Sequence, residues 1–174
     1  MTHDILWRWL DREGHEAAKL DGRMLRGAAA LKNGGDGCAL VYTIICDDRW
    51  HTRSAQVGGF AGGRDLTIQI SAEDGRWTMN GEHIPAVDGC IDIDLNFSPS
   101  TNLLPIRRLN LSVGEEATVR AAWLRFPTFT LEPLDQSYLR IAENTYRYKS
   151  ASFTAEITVN EAGLVLEYGV WKAV

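Results

Sequence analysis

The sequence predicts an all-β fold with minor helix: a single-domain antiparallel β-barrel or strongly curved half-barrel of about a dozen or more short strands, covering residues 1–174. Three observations carry this. Short runs alternate apolar and polar residues at period two, which sets one side of an extended chain against a core and the other toward solvent. Turn signals such as Asp21-Gly22, Glu73-Asp74-Gly75 and Asn80-Gly81 recur at short spacing and supply the backbone conformations that hairpins need. At 174 residues the chain can bury a substantial core, and no linker, repeat or low-complexity tract divides it.

Taken in order, Ile5–Leu10 precedes helix-favouring residues from Glu13 to Lys19, but Gly14 and the Asp21-Gly22 turn cut the segment into short pieces. A strand is expected there, with Trp7 and Trp9 on one face. Met24–Leu31 is an apolar strand rich in small residues, closed by a six-residue turn at Lys32–Gly37. Ala39–Asp47 and Arg49–Val57 form the next pair, with Trp50, Thr52, Ser54 and Gln56 sharing a face. Leu66, Ile68 and Ile70 alternate with polar neighbours, and Arg76–Met79 follows before the Asn80-Gly81 hairpin. Further on, Glu116–Phe126 is a covered strand ended by Pro127, while Phe129–Leu131 is a short strand before Glu132-Pro133. Asp135–Ile141 reads equally as strand or helical turn. Tyr146 and Tyr148 share a face, Phe153–Val159 alternates again, and Leu164–Tyr168 returns from the Gly163 turn as the last arm.

Composition excludes several classes of function. A net charge of −5 and a pI near 5.4, with no basic stripe, argue against a nucleic-acid binder, whose affinity comes from clustered cations neutralising phosphates. The longest apolar runs, such as Ala39–Cys46, fall far short of the roughly 20 residues that span a bilayer as helix. The first residues, MTHDILWRWLDREG, lack the basic start and long apolar stretch of a signal peptide, so a cytoplasmic protein is expected. Cys38, Cys46 and Cys90 are too widely spaced for a disulfide framework or paired metal ligands and read as buried thiols.

The unusual chemistry lies in Cys90–Leu111, CIDIDLNFSPSTNLLPIRRLNL. Ile91, Ile93 and Leu95 alternate with Asp92, Asp94 and Asn96 on a half-buried strand, which Pro99 and Pro105 stop from running on. Arg107 and Arg108 follow the loop, and alternation resumes at Leu109, Leu111 and Val113. The guanidiniums could clamp a phosphate, sulfate or carboxylate, or form a structural ion pair with Asp92 or Asp94. The two aspartates could share a divalent metal, but the four histidines are scattered without ligand spacing, so no metal and no cofactor is expected. No nucleophile elbow, phosphate-cradling glycine loop or Cys–His pairing marks a catalytic residue. Trp50, Trp77, Trp123, Tyr138, Tyr146 and Tyr148 combine apolar bodies with hydrogen-bonding tips, suited either to core packing or to a cavity for an amphiphile.

The run Asp92–Leu109, with its TNLLPIRRL core, resembles the bacterial glycolipid-binding family formerly catalogued as a domain of unknown function. Satellites agree in order: Tyr42–Asp47 leading to Trp50–Arg53, then Phe126-Pro127, Gln136–Tyr138, Tyr146–Tyr148 and Gly163–Val165, so that the similarity spans about Val41 to Trp171. The resemblance implies β structure throughout and non-enzymatic binding of a lipid or glycolipid in the apolar interior of the barrel. It also implies that Asp94, Asn102, Arg107 and Arg108 order the mouth and meet the headgroup, with Trp50, Arg53, Tyr146 and Tyr148 lining the approach. Two alternatives stay open: a metal-dependent phosphoester hydrolase using Asp92, Asp94, Arg107 and Arg108, and a scaffold whose interior is filled by side chains.

Overall fold

A computed structural model describes residues 2–174. The strands of the first half are β1 (Thr2–Trp9), β2 (Gly14–Asp21), β3 (Met24–Asn33), β4 (Asp36–Cys46), β5 (Thr52–Ala61), β6 (Arg64–Glu73), β7 (Arg76–Met79) and β8 (Glu82–His83). After a 3₁₀ turn at Pro85–Val87 come β9 (Asp92–Leu95), a second 3₁₀ turn (Pro99–Asn102) and the helix α1 (Leu103–Leu109). The chain then forms β10 (Glu116–Arg125), β11 (Thr130–Ala142), β12 (Thr145–Ser150), β13 (Phe153–Val159), β14 (Val165–Tyr168) and β15 (Trp171–Ala173).

Among the described residues, fifteen strands join one sheet in the order β8-β7-β6-β5-β4-β3-β2-β1-β15-β14-β13-β12-β11-β10-β9. Neighbours are antiparallel apart from the parallel pair β9–β10. The first and last strands are adjacent, Trp7 opposite Ala173, so the meander from each terminus runs outward to one edge. The edges β8 and β9 do not pair with each other, and the sheet is a strongly curved half-barrel. Its curl brings the β9 side back to β5, where the Thr52 amide donates to the Ile91 carbonyl (3.1 Å) and the Ile93 amide to Thr52 Oγ1 (3.0 Å).

The hollow of this curl is occupied. Phe97, Leu103, Leu104 and Ile106 are buried, and the segment they belong to touches both halves of the sheet: Ser98 and Ser100 reach Glu16 on β2 and Tyr42 on β4, while Asn102 meets Tyr138 on β11. Along this stretch the apolar interior is filled by these side chains, and open space remains at the end of the curl. The expected loop leading into Arg107 and Arg108 is corrected, to the helix α1 as far as Leu109, and the alternation expected from Leu109 to Val113 forms no strand. The local causes of the helix are readable. Ser98 accepts from the Ser100 amide (3.1 Å), and Pro99 and Pro105 fall at first-turn positions whose missing N–H costs no bond. Asn110, at φ 44°, ends the helix with its amide on the Ile106 carbonyl (3.2 Å), and Arg107 and Arg108 lie in the last turn, where cations oppose the carbonyl dipoles.

Three further expectations change. The Lys32–Gly37 turn shrinks to Gly34-Gly35, because β3 and β4 continue their ladder to Asn33 and Asp36. Trp50 lies in the β4–β5 connection at φ 67°, not on a strand face. Thr130–Ala142 is one long strand through Pro133; β12 pairs with it only from Gln136 onward, so the proline has a ladder partner on one side alone, where it is tolerated.

Candidate functional site

Strand direction places the β12–β13 turn, the β14–β15 turn and the exits of β9 and β10 at one end of the sheet. A pocket of about 450 Å³ opens among them. Its apolar wall comes from Trp123, Phe153, Tyr168 and Trp171, and Asp94, Asn102, Tyr148, Ser98 and Ser152 supply the polar groups. Among the described residues, no lysine, arginine or histidine lines it. Tyr148 is packed edge-on against Tyr138 (5.3 Å between ring centres) and Tyr168 (5.6 Å), which fixes its hydroxyl.

Asp94 is recessed in this pocket. The buried Gln136 amide donates to its Oδ2 (2.6 Å) and to the Tyr148 hydroxyl (3.0 Å), so one side chain orients both groups. Burial pushes the Asp94 carboxyl up to about 6, with the Gln136 bond acting against it, and its oxygens are the acceptors that this group offers to the cavity. Burial likewise pushes the Tyr148 hydroxyl up to about 12, so it stays a neutral donor and acceptor.

Behind the pocket wall lies a fully buried acid, Glu16. Four contacts close a ring of four oxygens: Tyr42 hydroxyl to Glu16 Oε1 (2.6 Å), Tyr42 hydroxyl to Ser100 Oγ (2.7 Å), Ser100 Oγ to Ser98 Oγ (2.7 Å), and Ser98 Oγ to Glu16 Oε1 (2.5 Å). Each contact needs one hydrogen, and the three hydroxyls supply three. The fourth is the proton of Glu16 itself. Burial, which pushes this carboxyl up to about 8 against the bonds from Ser98 and Tyr42, acts in the same direction. Oε2 has no partner among the described residues, a vacancy that costs far less on a neutral acid than on a carboxylate. Ser98 belongs both to the ring and to the pocket lining, so Glu16 supports the turn from which Asn102 projects.

The residues expected to form one site are divided by the structure. Asp94, Asn102 and Tyr148 come together in this pocket. Trp50, Arg107 and Tyr146 line a smaller cleft of about 200 Å³ at the opposite end of β12–β14. There Arg107 donates from Nε to the Ala162 carbonyl (2.9 Å), Trp50 lies under the Arg23 guanidinium (4.2 Å), and Tyr146 under that of Arg140 (5.7 Å). Arg53 pairs with Asp47 (2.9 Å) at the surface. Arg108 grips both oxygens of buried Asp92, Nε to Oδ1 at 3.1 Å and Nη2 to Oδ2 at 2.5 Å. Burial raises the Asp92 pKa, and the guanidinium works against that rise. The structural ion pair is therefore what the Asp92–Arg108 pattern encodes here, and Asp94 turns to a separate partner, Gln136.

Glu16, Tyr42, Ser98, Ser100 and Gln136 were not singled out as site residues by the sequence. One signal existed: Glu16 occupies the same period-two face as Ala18 and Leu20, an acid at an inward position, which demands a partner or a proton. Nothing local could have located its partners, since Ser98 is 82 residues away.

The fold and site define a class: a single curved β-sheet wrapped around an internal helical segment, with a carboxylate and aromatic pocket at one end. The family described as "Putative glycolipid-binding" matches residues 4–172, and the chain belongs to it. It is also similar to a crystal structure of a DUF1089 family protein from Pseudomonas aeruginosa, at 31% identity and a TM-score of 0.86, over 92% of each chain. No curated protein matches the chain.

Proposed function

We propose that the protein binds an amphiphile whose headgroup is uncharged and rich in hydroxyls, the chemistry of a glycolipid, with the headgroup in the Asp94 pocket. The observation that carries this is the pairing of a recessed carboxyl, oriented by Gln136, with aromatic walls where no cation among the described residues lines the cavity. Sugar hydroxyls donate well to a fixed carboxylate, and the apolar face of a sugar ring packs on aromatic surfaces; a phosphate or sulfate would meet the Asp94 charge without a counter-ion. The family's name points to the same ligand class. The volume is that of a small-ligand site, enough for a headgroup and the start of a chain, the remainder lying toward the open end.

Titration with octyl β-glucoside below its micellar concentration, read through tryptophan fluorescence, tests this directly. Saturable binding is expected, with an alkyl sulfate of equal chain length binding far more weakly. Asp94→Asn should weaken glucoside binding about tenfold or more, the usual cost of losing a hydrogen bond to a charged group. Equal binding of the two detergents, or an unchanged affinity in the variant, would overturn the proposal.

A further inference from the structure

The two ends of the sheet differ in how their apolar side chains are arranged. At the end carrying the 200 Å³ cleft, the turns present Arg23, Asp48, Arg49 and Glu161, and the exposed apolar residues Met24, Ile45 and Val113 stand apart from the cleft's lining. At the pocket end, Leu10 is 48% exposed, Phe153 44% and Val170 39%. These three are not scattered. The Leu10 amide donates to the Val170 carbonyl (2.8 Å), and Phe153 and Val170 both line the pocket mouth. Trp9 and Trp171 pack just beneath, tilted with ring centres 4.2 Å apart, with the Arg12 guanidinium over Trp9 (4.5 Å), while Arg125 lies over Trp123 (5.5 Å). Large apolar tips backed by tryptophan and arginine are the composition of a membrane–water boundary, where apolar side chains enter the acyl region and amphipathic rings stay at headgroup level.

Charge narrows the kind of surface. The two cations that lie over the rim tryptophans are already matched, Arg12 by Asp11 (3.4 Å) and Arg125 by Glu132 (3.6 Å), and the chain carries a net charge of −5. Attraction to anionic lipid is therefore not what would hold this end down. Resting on the amphiphile-binding reading above, we infer that the pocket end seats on a zwitterionic bilayer through Leu10, Phe153 and Val170, with the pocket mouth turned toward the lipid. An amphiphile then passes between bilayer and pocket without its chain crossing water, which the apolar rim makes continuous.

Co-sedimentation of the full chain with phosphatidylcholine vesicles is the test. The wild type should pellet with the vesicles, to the same extent at low and high salt, because apolar insertion is not screened as charge attraction is. The combined change Leu10→Ser, Phe153→Ser and Val170→Ser should reduce the bound fraction at least tenfold. Leu6→Ser with Val41→Ser, which removes comparably exposed apolar groups from the outer face of β1 and β4, should leave sedimentation unchanged. A bimane label at Ser152→Cys should be quenched by nitroxide-bearing lipid, and one at Glu161→Cys should not. A wild type that stays in the supernatant, a rim variant that pellets normally, or quenching at the Glu161 end overturns the inference. If the wild type takes octyl β-glucoside but ignores vesicles, only this inference falls; if it takes neither, the pocket reading falls with it.

Discussion

Glu16 occupies a position where alternation calls for an apolar side chain, and it is tolerated because it keeps its proton. The sign of the consequence follows from linkage. In the unfolded chain the group ionises near 4.5, in the folded one only near 8, so between those values the folded state holds the extra proton. Its contribution is complete below pH 4.5 and is lost as pH rises toward 8, at about 1.4 kcal/mol per pH unit. Urea unfolding from pH 5 to pH 8 should show this slope in the wild type, and Glu16→Gln should lose that component. A slope unchanged by the substitution would contradict the proton count. Tyr42 reaches this acid only because its cross-strand neighbour is Gly27: a Cβ there would lie 2.5 Å from the Tyr42 hydroxyl oxygen, so the ring crosses β3 where no side chain stands.

At the scale of the element, the segment from Phe97 to Asn110 behaves as a plug and depends on the Asp92–Arg108 pair to anchor its far end to β9. Asp92's side chain is 2% exposed and Arg108's 14%, so the pair is a buried one. Removing one partner strands the other charge, and Arg108→Met should destabilise the fold by about 3–5 kcal/mol in denaturant melts. Adding Asp92→Leu should restore most of that loss, because the cost is the unpaired carboxylate. If the single variant proves nearly neutral, the pair does not anchor the segment. The strands and hairpins were legible in the sequence because period-two alternation and turn residues are local signals; β6, with Leu66, Ile68 and Ile70, is an example. The plug was not. Pro99 and Pro105 signal a break in β structure equally well whether a loop or a short helix follows, and which one forms depends on the Ser98 cap and on burial against strands distant in sequence.

For the whole molecule, curvature determines which sequence neighbours become site neighbours. Asp94, Asn102 and Tyr148 were legible as candidates from the motif that carries the family resemblance, and the fold unites them. Arg107 and Trp50 come from equally conspicuous motifs, yet they line a cleft at the other end, because the plug runs along the half-barrel and presents its start and finish to opposite openings. The aromatic wall could not be read from spacing, since Trp123, Phe153 and Trp171 lie on three different strands or turns. A competing apolar surface exists on the outer face, a wider, shallow trough with Leu6, Ala17, Ala28, Val41 and Leu166 among its lining residues. Asp4, Lys19 and Arg26 also line it, so it mixes exposed charge of both signs with small apolar residues and lacks the aromatic walls that flank Asp94.

The two surfaces are separated most directly by photo-crosslinking with an alkyl glucoside that carries a diazirine next to the sugar, followed by peptide mapping. Label is expected on the peptides that contain Trp123, Phe153 and Tyr168, suppressed by excess octyl β-glucoside and by Asp94→Asn. Label concentrated on Leu6, Val41 and Leu166, or label that unmodified glucoside does not displace, would contradict binding in the pocket.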